Sequence, residues 1–180
     1  MNREDIPFVG LHAHSVAGSI FDGLGYPQEH MDFAYNNGMD ALALTDHGNM
    51  NGLAWQVLHA KKMQAEGKDF KPIFGCEAYF VPSIAEWRAD YERIMQDKKA
   101  ARAAKKAETS GATVEDEAAS KKAARNILNR RRHLVLLVQN QTGLNNLFKL
   151  ISESYQPENF YRYPRIDFDL LEKYNEGIIA

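Results

Sequence analysis

The sequence predicts an α/β protein whose strands form a parallel sheet with helices outside it, and three observations carry that prediction. Short apolar runs alternate with stretches of helical spacing. Gly follows the end of the helical stretches. The share of apolar residues, 44%, is enough for a core in a single domain of 180 residues.

Taken in order, residues 7–14 (Pro-Phe-Val-Gly-Leu-His-Ala-His) read as a strand running into a loop of Gly and Ser. Pro27 opens a helix carrying Met31, Phe33, Ala34 and Tyr35, which stops at Asn37-Gly38. Asp40 to Thr45 reads as a buried strand ended by Asp46-His47-Gly48-Asn49. Leu53 to Ala65 is a helix with Gly67 just past its end. Lys71 to Val81 and Leu134 to Val138 are two more strands. Gln141 to Tyr155 is an amphipathic helix with Leu144, Leu147, Phe148 and Ile151 on one face. A short acidic helix over Asp169 to Tyr174 leads through Gly177 to Ile178-Ile179-Ala180, the start of a fifth strand.

A parallel barrel needs about 250 residues. A last parallel strand without its neighbour leaves unpaired backbone groups. The chain is therefore expected to be the N-terminal part of something larger, or to dock on a partner that supplies the rest.

Ile84 to Arg132 has a different composition, with thirteen Lys and Arg against eight Asp and Glu. That surplus of five leaves seven net negative charges on the remainder of a chain whose formal charge is −2. Two charged helices joined near Gly111 are expected, as a solvated hairpin inserted in a loop. A basic arm touching nucleic-acid backbone is the alternative, because Arg130-Arg131-Arg132 and Lys98-Lys99 cluster without alternating acids.

Composition excludes other classes. Eight Tyr, nine Phe and two Trp exclude a chain disordered throughout. No apolar run approaches the roughly 20 residues of a membrane span, so no membrane is expected. The single Cys76 permits no internal disulfide and suits a reducing cytosol. A cytoplasmic location follows as an expectation.

The chemistry starts from His12-Ala13-His14, because residues two apart on a strand face one side. Two histidines alone are commonplace. They gain weight from Asp22 in the next loop, from Thr45-Asp46-His47 closing the second strand, and from Glu77 late in the third. C-terminal ends of parallel strands converge on one edge. Imidazoles and carboxylates converging there predict a metal site for Zn, Mn or Fe, with Mg less natural where histidines dominate. A bridging carboxylate such as Glu77 would let two ions sit close together. Such a pair polarises a phosphoryl oxygen and generates hydroxide near neutral pH. No Ser-His-Asp set and no Gly-Lys-Ser/Thr phosphate loop competes. Cys76, next to Glu77 on its strand, should face away from the site as a core thiol. His30 and His59 are expected at the surface or in packing, and nothing singles out Trp55 or Trp87.

Several separated stretches resemble one family. His12-Ala13-His14-Ser15, Phe21-Asp22-Gly23, Ala43-Leu44-Thr45-Asp46-His47-Gly48 and Pro72-Ile73-Phe74-Gly75-Cys76-Glu77 match the polymerase and histidinol phosphatase (PHP) domain. More narrowly, they are similar to the version at the N-terminus of bacterial replicative DNA polymerase III alpha subunits. His133-Leu134-Val135-Leu136-Leu137-Val138-Gln139-Asn140, Thr142-Gly143, Asn145, Leu147, Phe160-Tyr161 and Pro164-Arg165-Ile166-Asp167 extend the match across most of the chain outside 84–132.

The resemblance implies a distorted seven-stranded β/α barrel, here partial, with up to three divalent metals. The ligands it implies are His12, His14, Asp22, His47, Glu77 and His133, with Asp46 orienting His47 and with Glu77 and Asp46 as the catalytic carboxylates. In polymerases the domain can be a metal-dependent 3′–5′ exonuclease acting on DNA, with the rest of the polymerase as its partner. In others it only braces the enzyme. A small-molecule phosphatase of the histidinol-phosphatase type is a third reading.

The departures are specific. The family's later cysteine and Asp-x-His are not among these 180 residues, nor are the polymerase's catalytic aspartates. The loop from His14 to Asp22 is one residue longer than usual, with Gly18 as the extra, and 84–132 is longer than the usual connection. His133 precedes its strand, where an edge of parallel strands would want it after.

Overall fold

The computed structural model describes residues 8–106 and 114–180, with 104–106 and 114–120 described by their backbone alone. Helix α1 (Pro27–Asn36) is followed by strand β1 (Ala41–Leu44), helix α2 (Leu53–Ala65) and strand β2 (Lys71–Phe80). Helices α3 (Ile84–Lys106) and α4 (Val114–Leu128) then lead to strand β3 (Arg132–Val138) and helix α5 (Gln141–Ser154). The short strands β4 (Phe160–Tyr161) and β5 (Tyr163–Ile166), helix α6 (Phe168–Tyr174) and strand β6 (Ile178–Ile179) complete the order.

Local chemistry explains these boundaries. Pro27 occupies the first turn of α1, where its missing N–H costs nothing, and the Tyr26 N–H donates to Glu29 Oε2 at 2.6 Å. Gly38 and Gly67, at φ 79° and 77°, follow α1 and α2 in the left-handed region that glycine tolerates. Asn140 caps α5 by accepting from the Gly143 N–H. Asp167 serves two helices at once, taking the Leu170 N–H on Oδ1 at 3.0 Å and the Ile84 N–H on Oδ2 at 2.9 Å.

Among the described residues the sheet has six strands and does not close. Its centre is β2, whose first half pairs with β1 in parallel and whose second half pairs with β3 and β5. The expectation of a parallel sheet is corrected here. Strand β3 runs antiparallel to β2, with Tyr79 opposite His133 and Glu77 opposite Val135, and β6 and β4 are antiparallel to their neighbours as well. An apolar run does not encode the direction of its partner, and a mixed sheet satisfies the same burial.

The predicted first strand is also corrected. Pro7 lies outside the described residues, and 8–14 form a single parallel bridge, Gly10 to Leu42. The Ala43 N–H donates to Gly10 O and the Thr45 N–H to Ala13 O, each at 2.8 Å. The segment spends three residues where β1 spends two, so it bulges rather than forming a regular strand. The two helices expected over 84–132 are α3 and α4, while the joint at Gly111 lies outside the described residues.

Alternation along β2 separates core from site. Cys76, Ala78 and Phe80 face a cluster with Leu136, Leu147, Leu150 and Ile166 beneath α5. A second cluster packs Met31, Ala34 and Met63 of α1 and α2 on Leu42, Leu44 and Phe70. Glu77 and Tyr79 take the other face. Among the described residues no helix is long and apolar enough to cross a membrane.

Candidate metal centre

Glu77 is the hub of the site. Its side chain is 3% exposed, and both oxygens meet imidazoles. His12 Nε2 lies 2.6 Å and His14 Nε2 3.0 Å from Oε2, and His133 Nδ1 contacts Oε1. His47 Nδ1 is 3.5 Å from Oε2, while its Nε2 meets Asp22 Oδ2 at 2.8 Å. The rings of His14 and His47 stack with centroids 4.2 Å apart.

Each partner arrives from its own element. His12 and His14 stand on the bulged segment beside β1, and His47 follows β1, bridging to Glu77 in the register that β1 and β2 already share. His133 sits at the start of β3. Because β3 is antiparallel, its first residues lie at the same edge as the last residues of β2. This removes the difficulty of a ligand placed before its strand.

Gly18 and Asp22 are placed equally clearly. A side chain at Gly18 would come within 2.3 Å of Asn49 Oδ1 and 2.6 Å of Asp46 Cβ, so the loop fits only because that residue is glycine. Pressed there, the loop carries Asp22 to His47. Asp46 itself touches none of the imidazoles. Its Oδ1 accepts from the Ser15 N–H at 2.7 Å and the Ser19 hydroxyl at 2.9 Å, and its Oδ2 from the Ser15 hydroxyl at 2.8 Å. Ser19 Oγ accepts in turn from the His47 backbone N–H at 3.1 Å. Asp46 thus braces the loop between the two histidine segments, where the sequence suggested that it would orient the His47 ring.

Three triads have ligand atoms that all lie within 4.8 Å of one another: His12, His14 and Glu77; His14, Asp22 and His47; His47, Glu77 and His133. They overlap, sharing Glu77, His14 and His47. All six predicted ligands are therefore brought together. The donor set fits divalent cations on a further count. His14 Nδ1 and His47 Nδ1 are buried with no hydrogen-bond partner.

The electrostatics agree. Burial first, and then the neighbouring His47, hold the His14 imidazole below its ordinary 6.5, which favours the neutral form that ligates metals. Burial alone would raise the Glu77 carboxyl, but the hydrogen bonds with His12 and His133 and the imidazoles' charge bring it below the usual range. The hydrogen bond with His47 lowers Asp22.

One member of the site escaped the sequence. The Tyr79 ring stacks 5.8 Å from His47 and meets the edge of His133 at 5.4 Å, walling both imidazoles. Its signal was available, since Tyr79 is two residues beyond Glu77 on one strand. Cys76 faces away, fully buried, and desolvation pushes its thiol up to about 12. His59 pairs with Asp32 at 2.8 Å, away from the centre.

Comparison with known proteins matches the PHP domain model over residues 10–180. The chain belongs to the PHP domain family. Relatives of this PHP chain include the DNA polymerase III alpha subunits of Aquifex aeolicus and Treponema pallidum, each 35% identical over 96% of the chain. That of Saccharopolyspora erythraea is 34% identical over 97%. The chain spans 12, 11 and 13% of these proteins' own lengths. A solved structure from Bifidobacterium adolescentis, described provisionally as a metal-dependent phosphoesterase, covers 81% of the chain and 32% of its own. Its 12% identity and TM-score of 0.43 are too low to bear on the chemistry.

Proposed function

We propose that this PHP chain is the N-terminal portion of the PHP domain of a replicative polymerase alpha subunit, and that its centre hydrolyses phosphodiesters at DNA 3′ ends. The observation that supports this best is the sharing of Glu77 between two of three overlapping triads, which suits ions held side by side. His12, His14, Asp22, His47, Glu77 and His133 would hold them. The softness of four imidazoles favours Zn, Mn or Fe over Mg. When bound, such ions polarise a phosphoryl oxygen and lower the pKa of water.

The chain's own residues do the rest. Glu77 fixes the imidazoles toward one point from a buried strand. Neutral His14 keeps a lone pair available. Asp46 and the two serines hold the loop that bears Asp22, and Tyr79 limits how far His47 and His133 can swing. Half-exposed His12 and Asp22 leave the centre open on the side where a strand end would enter.

The test offers labelled single-stranded DNA to the chain with Mn or Zn, both alone and with the remainder of a polymerase supplied. Shortening from the 3′ end, abolished in His12→Ala, is the expected result. A chain that binds stoichiometric metal yet leaves DNA intact in both settings is a brace and not a nuclease. Turnover of a phosphate monoester with indifference to DNA would identify a small-molecule phosphatase.

A further inference from the structure

We infer that the open cavity between α3, α4 and the β4–β5 turn is a phosphate-binding pocket that grips the backbone of a DNA strand at a distance from the metal centre. The cavity measures about 120 Å³ and is lined by Lys98, Arg125, Leu128, Asn129, Tyr161 and Arg162. Three cations from three elements converge on it. None of the three has a carboxylate within 4.0 Å among the described residues.

Some of their neighbours are paired. Arg88 pairs with Glu92, and Arg93 and Arg130 both pair with Asp90. Among the described residues Lys99 and Arg102 of α3 also lack an acid, so what sets Lys98, Arg125 and Arg162 apart is that they converge on one small cavity. A fourth positive charge lies beneath. Arg165, fully buried, donates to Leu128 O at 2.7 Å and Tyr161 O at 2.9 Å, the backbone of two lining residues. Like charges gathered without an acid repel one another, and an anion in their midst relieves that repulsion.

Backbone conformation adds a second observation. Arg162 adopts φ 62°, the only positive φ of a non-glycine residue among the described residues. A left-handed arginine is strained, and such outliers gather at functional sites. Glycine would make this turn without strain, but it would carry no charge.

Size selects the ligand. A small-molecule site usually offers roughly 300–1,000 Å³, and this cavity is well below that. It has room for one tetrahedral anion while the attached sugar and base stay outside. Tyr161 lines the cavity, and two residues on Tyr163 meets Tyr79 with ring centroids 5.0 Å apart. The turn that lines the pocket therefore also reaches, through Tyr163, the ring that walls the metal centre. Assigning the anion to a DNA strand rests on the function proposed above.

The experiment measures anisotropy of a labelled oligothymidylate with the full chain in EDTA, so that binding is read without cutting. Lys98→Gln combined with Arg125→Gln is expected to weaken binding about tenfold at low salt. The slope of log affinity against log salt should fall by about 0.7 for each phosphate that is no longer neutralised. Arg162→Lys should retain binding that Arg162→Gln loses. An unchanged thermal midpoint shows that these exposed substitutions leave the fold intact.

Equal binding by the double variant and the parent overturns the inference, as does a parent that binds no strand. Displacement of the strand as readily by polyglutamate as by inorganic phosphate overturns the assignment to a phosphate. A strand that is bound here and never cut with metal present sinks the hydrolytic reading and leaves this pocket standing. A strand that is cut while the variants bind normally sinks the pocket alone.

Discussion

Glu77 and Arg165 are both buried charges, and their partners could hardly differ more. Glu77 is surrounded by imidazoles, four within 3.5 Å of its oxygens. Among the described residues Arg165 has no carboxylate partner. Its guanidinium donates to the backbone oxygens of Leu128, Arg130, Tyr161 and Tyr163 and lies 4.1 Å over the ring of Trp87. Burial pushes its pKa down to about 10, so it stays charged at neutral pH. The arginine's partners belong to the main chain and can go nowhere, and it ties α4 and the β4–β5 hairpin to α3. The glutamate's partners are side chains that can turn to a cation. One charge builds the molecule, and the other equips it.

If that contrast is right, the two sites should fail in different ways. Arg165→Met should have the largest effect. It strands four backbone oxygens and should cost about 3 kcal/mol or more of stability, read by urea unfolding of the metal-free protein. Metal affinity per folded molecule should be unchanged. Glu77→Gln should do the reverse, with metal binding at least about 100-fold weaker by calorimetry, or about 2.7 kcal/mol. An equal loss of stability in both variants would erase the distinction.

Asp46→Asn is intermediate. It keeps the shape of the brace but removes the charge that holds Ser15 and Ser19, so metal affinity should drop about 10- to 100-fold. Metal bound at parental strength would show that the loop needs no brace.

Acidification tests the smallest effect. His14 resists protonation in the folded chain and accepts it near 6.5 when unfolded, so the folded state loses ground as pH falls below 6.5. The carboxyls of Asp22 and Glu77, held low when folded, add to that loss at more acidic pH. The thermal midpoint of the metal-free protein should therefore decline from neutral to mildly acidic pH, and His14→Gln should flatten the first part of that decline.

The same contrast explains what can be read from sequence. Leu53–Ala65 is legible residue for residue because Gly67 marks its end, and His47 and Glu77 are legible as candidate ligands because they lie toward the ends of their strands. The direction of β3 is not, since Leu-Val-Leu-Leu-Val suits either pairing. His133 is identifiable only by motif until the antiparallel register places it. Arg165 and Trp87 stay silent because a tryptophan in a charged helix and an arginine after a proline acquire meaning only from each other. The short strands β4 and β5 have too few residues for a period to emerge.

Strand β2 has one further consequence. Because β1, β3 and β5 all hang from it, no neighbour can detach without loosening the backbone that holds Glu77. Its amides should be the last to exchange with deuterium. The centre should then persist until the whole domain gives way, so that loading with metal reports directly on how many molecules are intact.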